Sequence, residues 1–162
     1  MGRVYVSDTN IWIDFRHAGL LEQLFQLPFR LCSTDFVLQE LHDIEHEVLI
    51  GHGLLVETMD GPAVQRLFGL MAQHNNSSLA DVSCYLLAQD TGRPLLTGDG
   101  RLRKQAMRDG LQVFGTLWLL DQLVAHAVVS PARASEGLQA MLAHGARLPS
   151  ADCQQRIRTW DD

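Results

Sequence analysis

The apolar positions of this chain change period repeatedly between the short spacing of strands and the longer spacing of helices. Short β-type runs recur at Val4 to Ser7, Arg30 to Ser33, Leu54 to Thr58, Pro94 to Thr97 and Gln112 to Phe114, and longer segments with helical periodicity separate them. Such alternation predicts an α/β fold: a three-layer α/β/α sandwich with a central, mostly parallel sheet of four to five strands, followed by C-terminal helices.

Between the first two runs, Leu20, Leu21, Leu24, Phe25 and Leu27 repeat at helical spacing and Pro28 closes the segment. From Thr34, the stretch TDFVLQELHDIEHEVL reads as one helix with Val37, Leu41, Ile44 and Val48 on a shared face, ended by Gly51 and Gly53. A helix over 62–73 starts at Pro62 and turns Val64, Leu67, Phe68 and Met71 inward, before a loop at His74, Asn75 and Asn76. Ser78 and Asp81 have capping-box spacing and open a helix to about Asp90. A short basic helix follows Gly98-Asp99-Gly100, and another runs from Thr116 to about Ala127. Ser130 and Pro131 start a further helix that stops before Gly145, and the last helix, from Pro149-Ser150, aligns Cys153, Ile157 and Trp160. With no linker or repeat, the expected organisation is one domain: residues 1–126 as its α/β part and 127–162 as a helical extension packed on it.

Composition narrows the class. The chain has 162 residues, of which 46% are hydrophobic and 20% charged, enough for a sizeable core. No apolar stretch is long enough to span a membrane and no signal-peptide pattern opens the chain, so the expected location is the cytoplasm. Cys32, Cys84 and Cys153 are far apart and odd in number, which suggests buried thiols rather than disulfides or a cysteine zinc site. A net charge of −6 argues against a general electrostatic grip on nucleic acid but leaves room for a local one. Lys104 is the sole lysine, so phosphate contacts would be mostly the forked contacts of arginine.

Four acids occupy suggestive places. Asp8, Glu40 and Asp99 each fall near the carboxyl end of a predicted strand or in the helix that follows, and Asp81 enters from the helix before the fourth strand. Each has an ordinary explanation: Asp8 and Asp99 as helix caps, Asp81 as the completion of its capping box, Glu40 as a paired side chain at the margin of a buried face. A parallel sheet would nevertheless bring all four to one rim, where carboxylates repel unless a cation neutralises them. Hard divalent ions, Mg²⁺ or Mn²⁺, are the natural occupants.

In order and spacing, VSDTNIWIDF, STDFVLQEL, SSLADVSCYLLAQDTGRPLLTGD and QVFGTLWLL resemble a PIN domain, a family of metal-dependent nucleases that includes the VapC-type toxins of bacterial toxin–antitoxin pairs. The stretch LQAMLAHGARLPSADCQQRI is similar to the tail of one bacterial subgroup. This resemblance implies that Asp8, Glu40, Asp81 and Asp99 are the metal-binding and catalytic acids, supported by Asn10 and Thr97. It implies hydrolysis of RNA phosphodiesters, an antitoxin partner if the protein is a toxin, and a homodimer. A housekeeping RNA-processing nuclease would share all of these features, and a non-catalytic binding module would share the fold. On the helix after Asp99, the residues Arg101, Lys104 and Arg108 form a basic stripe suited to phosphate, or simply a solvated face. Asp14 is expected to be an ordinary helix residue outside the site.

One motif points to another class. His42-Asp43-Ile44-Glu45-His46 fits the H-x-x-E-H pattern of zinc hydrolases, which on a helix would set His42 and His46 one turn apart with Glu45 as base.

Overall fold

A computed structural model describes residues 3–73 and 77–162; the expected loop at His74, Asn75 and Asn76 lies outside them. Strands β1 (Val4–Ser7), β2 (Arg30–Thr34), β3 (Leu55–Glu57), β4 (Leu95–Leu96) and β5 (Val113–Phe114) form one sheet in the order β3-β2-β1-β4-β5. Every pairing is parallel, with Val6 opposite both Cys32 and Leu95. The order reverses at β1, so the carboxyl ends of β1 and β4 flank the switch point where open α/β sheets form their crevices.

Among the described residues, ten helices accompany these strands: α1 (Thr9–Ala18), α2 (Leu21–Leu24), α3 (Asp35–Glu40), α4 (His46–His52), α5 (Gly61–Met71), α6 (Leu79–Thr91), α7 (Gly100–Arg108), α8 (Thr116–Ala125), α9 (Pro131–Ala143) and α10 (Ser150–Asp161). Local chemistry sets most of their starts. Asp8, Thr34, Asp60, Ser78, Asp99 and Ser130 each accept a hydrogen bond from a first-turn backbone N–H. A continuous core runs from Val6, Trp12 and Phe15 through Leu95 and Leu96 to Leu119, Leu120, Leu138 and Met141. From residues 127–162, Val129, Ala134, Cys153 and Trp160 also belong to this core.

The single long helix expected from Thr34 onward is two helices. The chain leaves helical geometry at Leu41, whose ψ is 106°, and re-enters it after Glu45. His42 and Asp43 are weak helix formers, and turning the chain there buries both Leu41 and Ile44. His46 Nε2 lies 3.1 Å from the Leu41 carbonyl oxygen and donates to it, replacing the helical bond that the break removes. The rotation places Leu49 in the core and leaves Val48, expected inside, 45% exposed. It also removes the geometry of the zinc reading: His42 and His46 are not on one helix, and the Nε2 of His46 is already engaged. Among the described residues no three His, Cys, Asp or Glu side chains stand ready-grouped around a metal position. On α5, Leu67 is buried with Val82 and Leu86, but Phe68, also expected inside, is 59% exposed.

Candidate active site

The joint between β1 and α1 is where the site begins. Asp8 caps α1 by accepting from the Ile11 N–H at 3.1 Å through Oδ1. Its Oδ2 accepts from Thr97 Oγ1 at 2.7 Å and from the Gly98 N–H at 2.9 Å. Pairing of β1 with β4 makes this possible, because Ser7 stands opposite Leu96 and the next residue on each strand meets across the rim. Gly98 carries no side chain where a Cβ would come within 3.4 Å of Asn10 Cβ, so the loop after β4 can approach α1.

Thr97 joins two acids. Its hydroxyl donates to Asp8 and accepts from the Asp99 N–H at 3.0 Å. Asp99 caps α7 through Oδ1, taking the Arg101 and Leu102 N–H groups, while its Oδ2 accepts from Ser77 Oγ at 2.9 Å. Asp81, in the first turn of α6, donates its N–H to Ser78 Oγ at 3.0 Å. Only half of a capping box is made: Asp81 is 6% exposed, and its Oδ1 is buried without a hydrogen-bond partner.

Such a group is costly unless something compensates it. Burial drives the Asp81 carboxyl up to about 8, with the charges of Asp8, Glu40 and Asp99 adding to the rise. Burial also drives Asp8 up to about 6, against its three hydrogen bonds, and Asp14 pushes in the same direction. The four acids expected at the rim therefore feel one another, and Asp81 is their focus.

Their placement is uneven. Asp81 and Asp99 line an open cleft of about 1450 Å³, together with Asn10 and Thr97. Asp8 lies fully buried directly behind Thr97 and Gly98. Glu40, the last residue of α3, is exposed and outside the cleft lining. Of the basic stripe, Arg101 and Lys104 line the cleft and Arg108 does not; Arg103 takes its place.

Several polar groups in the wall escaped the sequence reading, Asp14 and Thr116 among them. Asp14 lines the cleft, half-buried, and accepts from Thr116 Oγ1 at 3.1 Å; burial raises its carboxyl above the ordinary value. Its spacing of four residues from Asn10 was the available signal, since that interval puts both on one face of α1. Thr116 gave no local signal at all.

Behind the wall, a polar belt fixes the helices to the strand ends. Trp12 Nε1 donates to Ser33 Oγ at 2.9 Å, and Ser33 in turn donates to the Ser7 carbonyl at 2.6 Å. Ser83 Oγ donates to the Ala80 carbonyl and lies 2.6 Å from Thr34 Oγ1. These bonds hold α1, α3 and α6 in register with β1 and β2, so the acids above them are positioned by buried structure.

The donor set fits a hard divalent cation. It is all oxygen, it carries excess negative charge, and it contains a buried carboxylate oxygen that no protein group satisfies. Asp81 and Asp99 are the residues best placed to hold such an ion, with Asp8 contributing charge from behind.

The family model described as DUF3368: PIN domain matches residues 4–162, nearly the whole chain and the extension with it. The chain belongs to the PIN-domain family. Its fold resembles the structure of a PilT N-terminus domain protein from the hyperthermophilic archaeon Sulfolobus solfataricus P2, with a TM-score of 0.51 at 13% identity over 73% of this chain and 91% of that one. No curated protein matches the sequence. PIN domains are commonly nucleases, and no helix among the described residues of this one is long and apolar enough to cross a membrane.

Proposed function

We propose that this PIN domain is a divalent-metal-dependent endoribonuclease and the toxin of a VapC-like toxin–antitoxin pair. The observation that carries the reading is the unpartnered Asp81 Oδ1, buried in a cleft that Asp99, Arg101, Arg103 and Lys104 also line. Asp81 and Asp99 would hold Mg²⁺ or Mn²⁺, and a Mg²⁺ held by one or two carboxylates keeps positions for water and substrate phosphate. When bound, the ion supplies the Lewis acidity that makes water a nucleophile at neutral pH and stabilises charge on the phosphodiester oxygens.

The protein's own groups do the rest. Thr97 fixes the orientation of Asp8 and, through the Asp99 N–H, the approach of α7. Asn10, exposed in the cleft, offers an amide to the substrate, and Arg101 and Lys104 offset the phosphate charge that the acids would otherwise repel. Glu40 contributes negative charge to Asp81 and would join the metal shell only by reaching into the cleft from the end of α3.

Expression of the wild type and of Asp99→Asn in cells tests this reading, with growth and RNA integrity followed together. Wild-type expression should degrade RNA and arrest growth while Asp99→Asn does neither. Equal RNA decay from both proteins would overturn the site, and RNA cleavage without growth arrest would remove the toxin role. A toxin of this kind would be blocked by an antitoxin covering the cleft and would act as a homodimer.

A further inference from the structure

The extension, residues 127–162, carries groups that the acid cluster does not explain. His144, just after α9, stacks on His17 of α1 with ring centroids 4.2 Å apart and an interplanar angle of 12°, and both rings line the cleft. Arg147 lines it too, exposed and without an ion pair among the described residues. The same holds for Arg101, Arg103 and Lys104 on the α7 side.

The extension is firmly anchored. At Gly137 a Cβ would stand only 2.8 Å from Leu20 Cδ1, so α9 lies tight against the end of α1. Arg133 Nη2 donates to the Ala18 carbonyl at 2.7 Å, and Arg156 makes a two-pronged pair with Asp121 of α8 at 2.9 and 2.7 Å. The ring pair is therefore held from both sides. Burial, with His144 and Arg16 adding, lowers the His17 pKa.

We propose that the extension forms the second wall of the substrate cleft: the His17–His144 stack presents a ring face to a base of single-stranded RNA, and Arg147 grips its backbone opposite α7. This rests on the nuclease reading and extends it to the substrate's path. Unpaired arginines with aromatic faces between them are what sequence-tolerant single-strand recognition uses. A duplex would offer its stacked bases no access to the ring pair.

The test uses Asp99→Asn in Mg²⁺ as the parent and a short fluorescein-labelled single-stranded oligoribonucleotide, with anisotropy followed over a salt series. Adding His144→Ala should weaken binding about fivefold or more, while His144→Phe, which keeps a ring, should stay within about twofold of the parent. Adding Arg147→Glu should weaken binding and make the slope of log affinity against log salt shallower by about 0.7 for the lost contact. Both positions are exposed, so the variants should melt with the parent. Affinities unchanged in His144→Ala and Arg147→Glu, or His144→Phe as weak as His144→Ala, would overturn the inference. Wild-type cleavage measured in parallel separates the two claims. A wild type that fails to cleave while these variants still lose affinity sinks the nuclease reading alone, and a cleaving wild type with normally binding variants sinks this one alone.

Discussion

Metal-free protein should become more stable as the pH falls from 8 to 5, and Asp81 should be the main cause. Its carboxyl ionises near 3.8 in the unfolded chain and at about 8 in the fold. A raised folded-state value means that the stabilising contribution is complete below 3.8 and is lost as the pH climbs through 8. Between pH 7 and pH 5 the folded carboxyl is already mostly protonated, whereas the unfolded one must give up most of two pH units of ionisation free energy. At about 1.4 kcal/mol per unit this amounts to about 3 kcal/mol, which corresponds to a rise in Tm of about 6–12 °C for a chain of this size. Asp8, raised to about 6, acts in the same direction. Urea unfolding in EDTA at pH 5, 6, 7 and 8, comparing wild type with Asp81→Asn, isolates the effect from every group that the two proteins share. Asp81→Asn should be the more stable protein at pH 8 by a few kcal/mol, with the gap closing towards pH 5. Added Mg²⁺ should flatten the wild-type slope, because binding then favours the charged form. Equal slopes for the two proteins in EDTA would refute the reasoning that the buried Asp81 carboxyl carries uncompensated charge.

Other consequences are simpler to check. Thr97→Val removes the donor to Asp8 and the acceptor for the Asp99 N–H in a buried position, so chemical denaturation should show a loss of about 1–3 kcal/mol and cleavage should fall with it. Gly137→Leu forces side-chain atoms into the space already occupied by Leu20 and Ala18, and calorimetry should register about 1–3 kcal/mol of destabilisation or more. His42→Ala, at a residue exposed in the loop between α3 and α4, should leave RNA cleavage unchanged; a large loss with release of bound zinc would restore the H-x-x-E-H reading.

What the sequence made legible was what local chemistry decides. Asp8, Ser78 and Ser130 announce their helices because a cap acts on N–H groups two or three residues away. The five strands showed for a related reason: each is a short apolar run, and the parallel pairing follows from the helices between them. The break at Leu41 did not show, since periodicity favoured one continuous face and the competing bond, His46 to the Leu41 carbonyl, exists only once the chain has turned. Asp14 was misread because Thr116, which holds it on the cleft wall, is 102 residues away. The same distance problem hid the contribution of the extension: His144 meets His17 only through the packing of α9 against α1. The rim of acids was legible in outline. Asp8 and Asp99 converge through the pairing of β1 with β4 and Asp81 joins them from α6, but Glu40, the last residue of α3, stays exposed and outside the cleft lining.

The central claim is that Asp81 and Asp99 form a metal-dependent phosphodiester-cleaving centre. The most direct measurement is cleavage of a labelled single-stranded RNA by purified wild type, Asp81→Asn and Asp99→Asn, each in Mg²⁺ and each in EDTA, with the product ends identified. The account predicts wild-type cleavage in Mg²⁺ that leaves no 2′,3′-cyclic phosphate, since water is the proposed nucleophile, its loss in EDTA, and a fall of about 100-fold or more in both variants, since each removes a group proposed to hold the ion. Cleavage by either variant at the wild-type rate, or wild-type cleavage undiminished by EDTA, would contradict it.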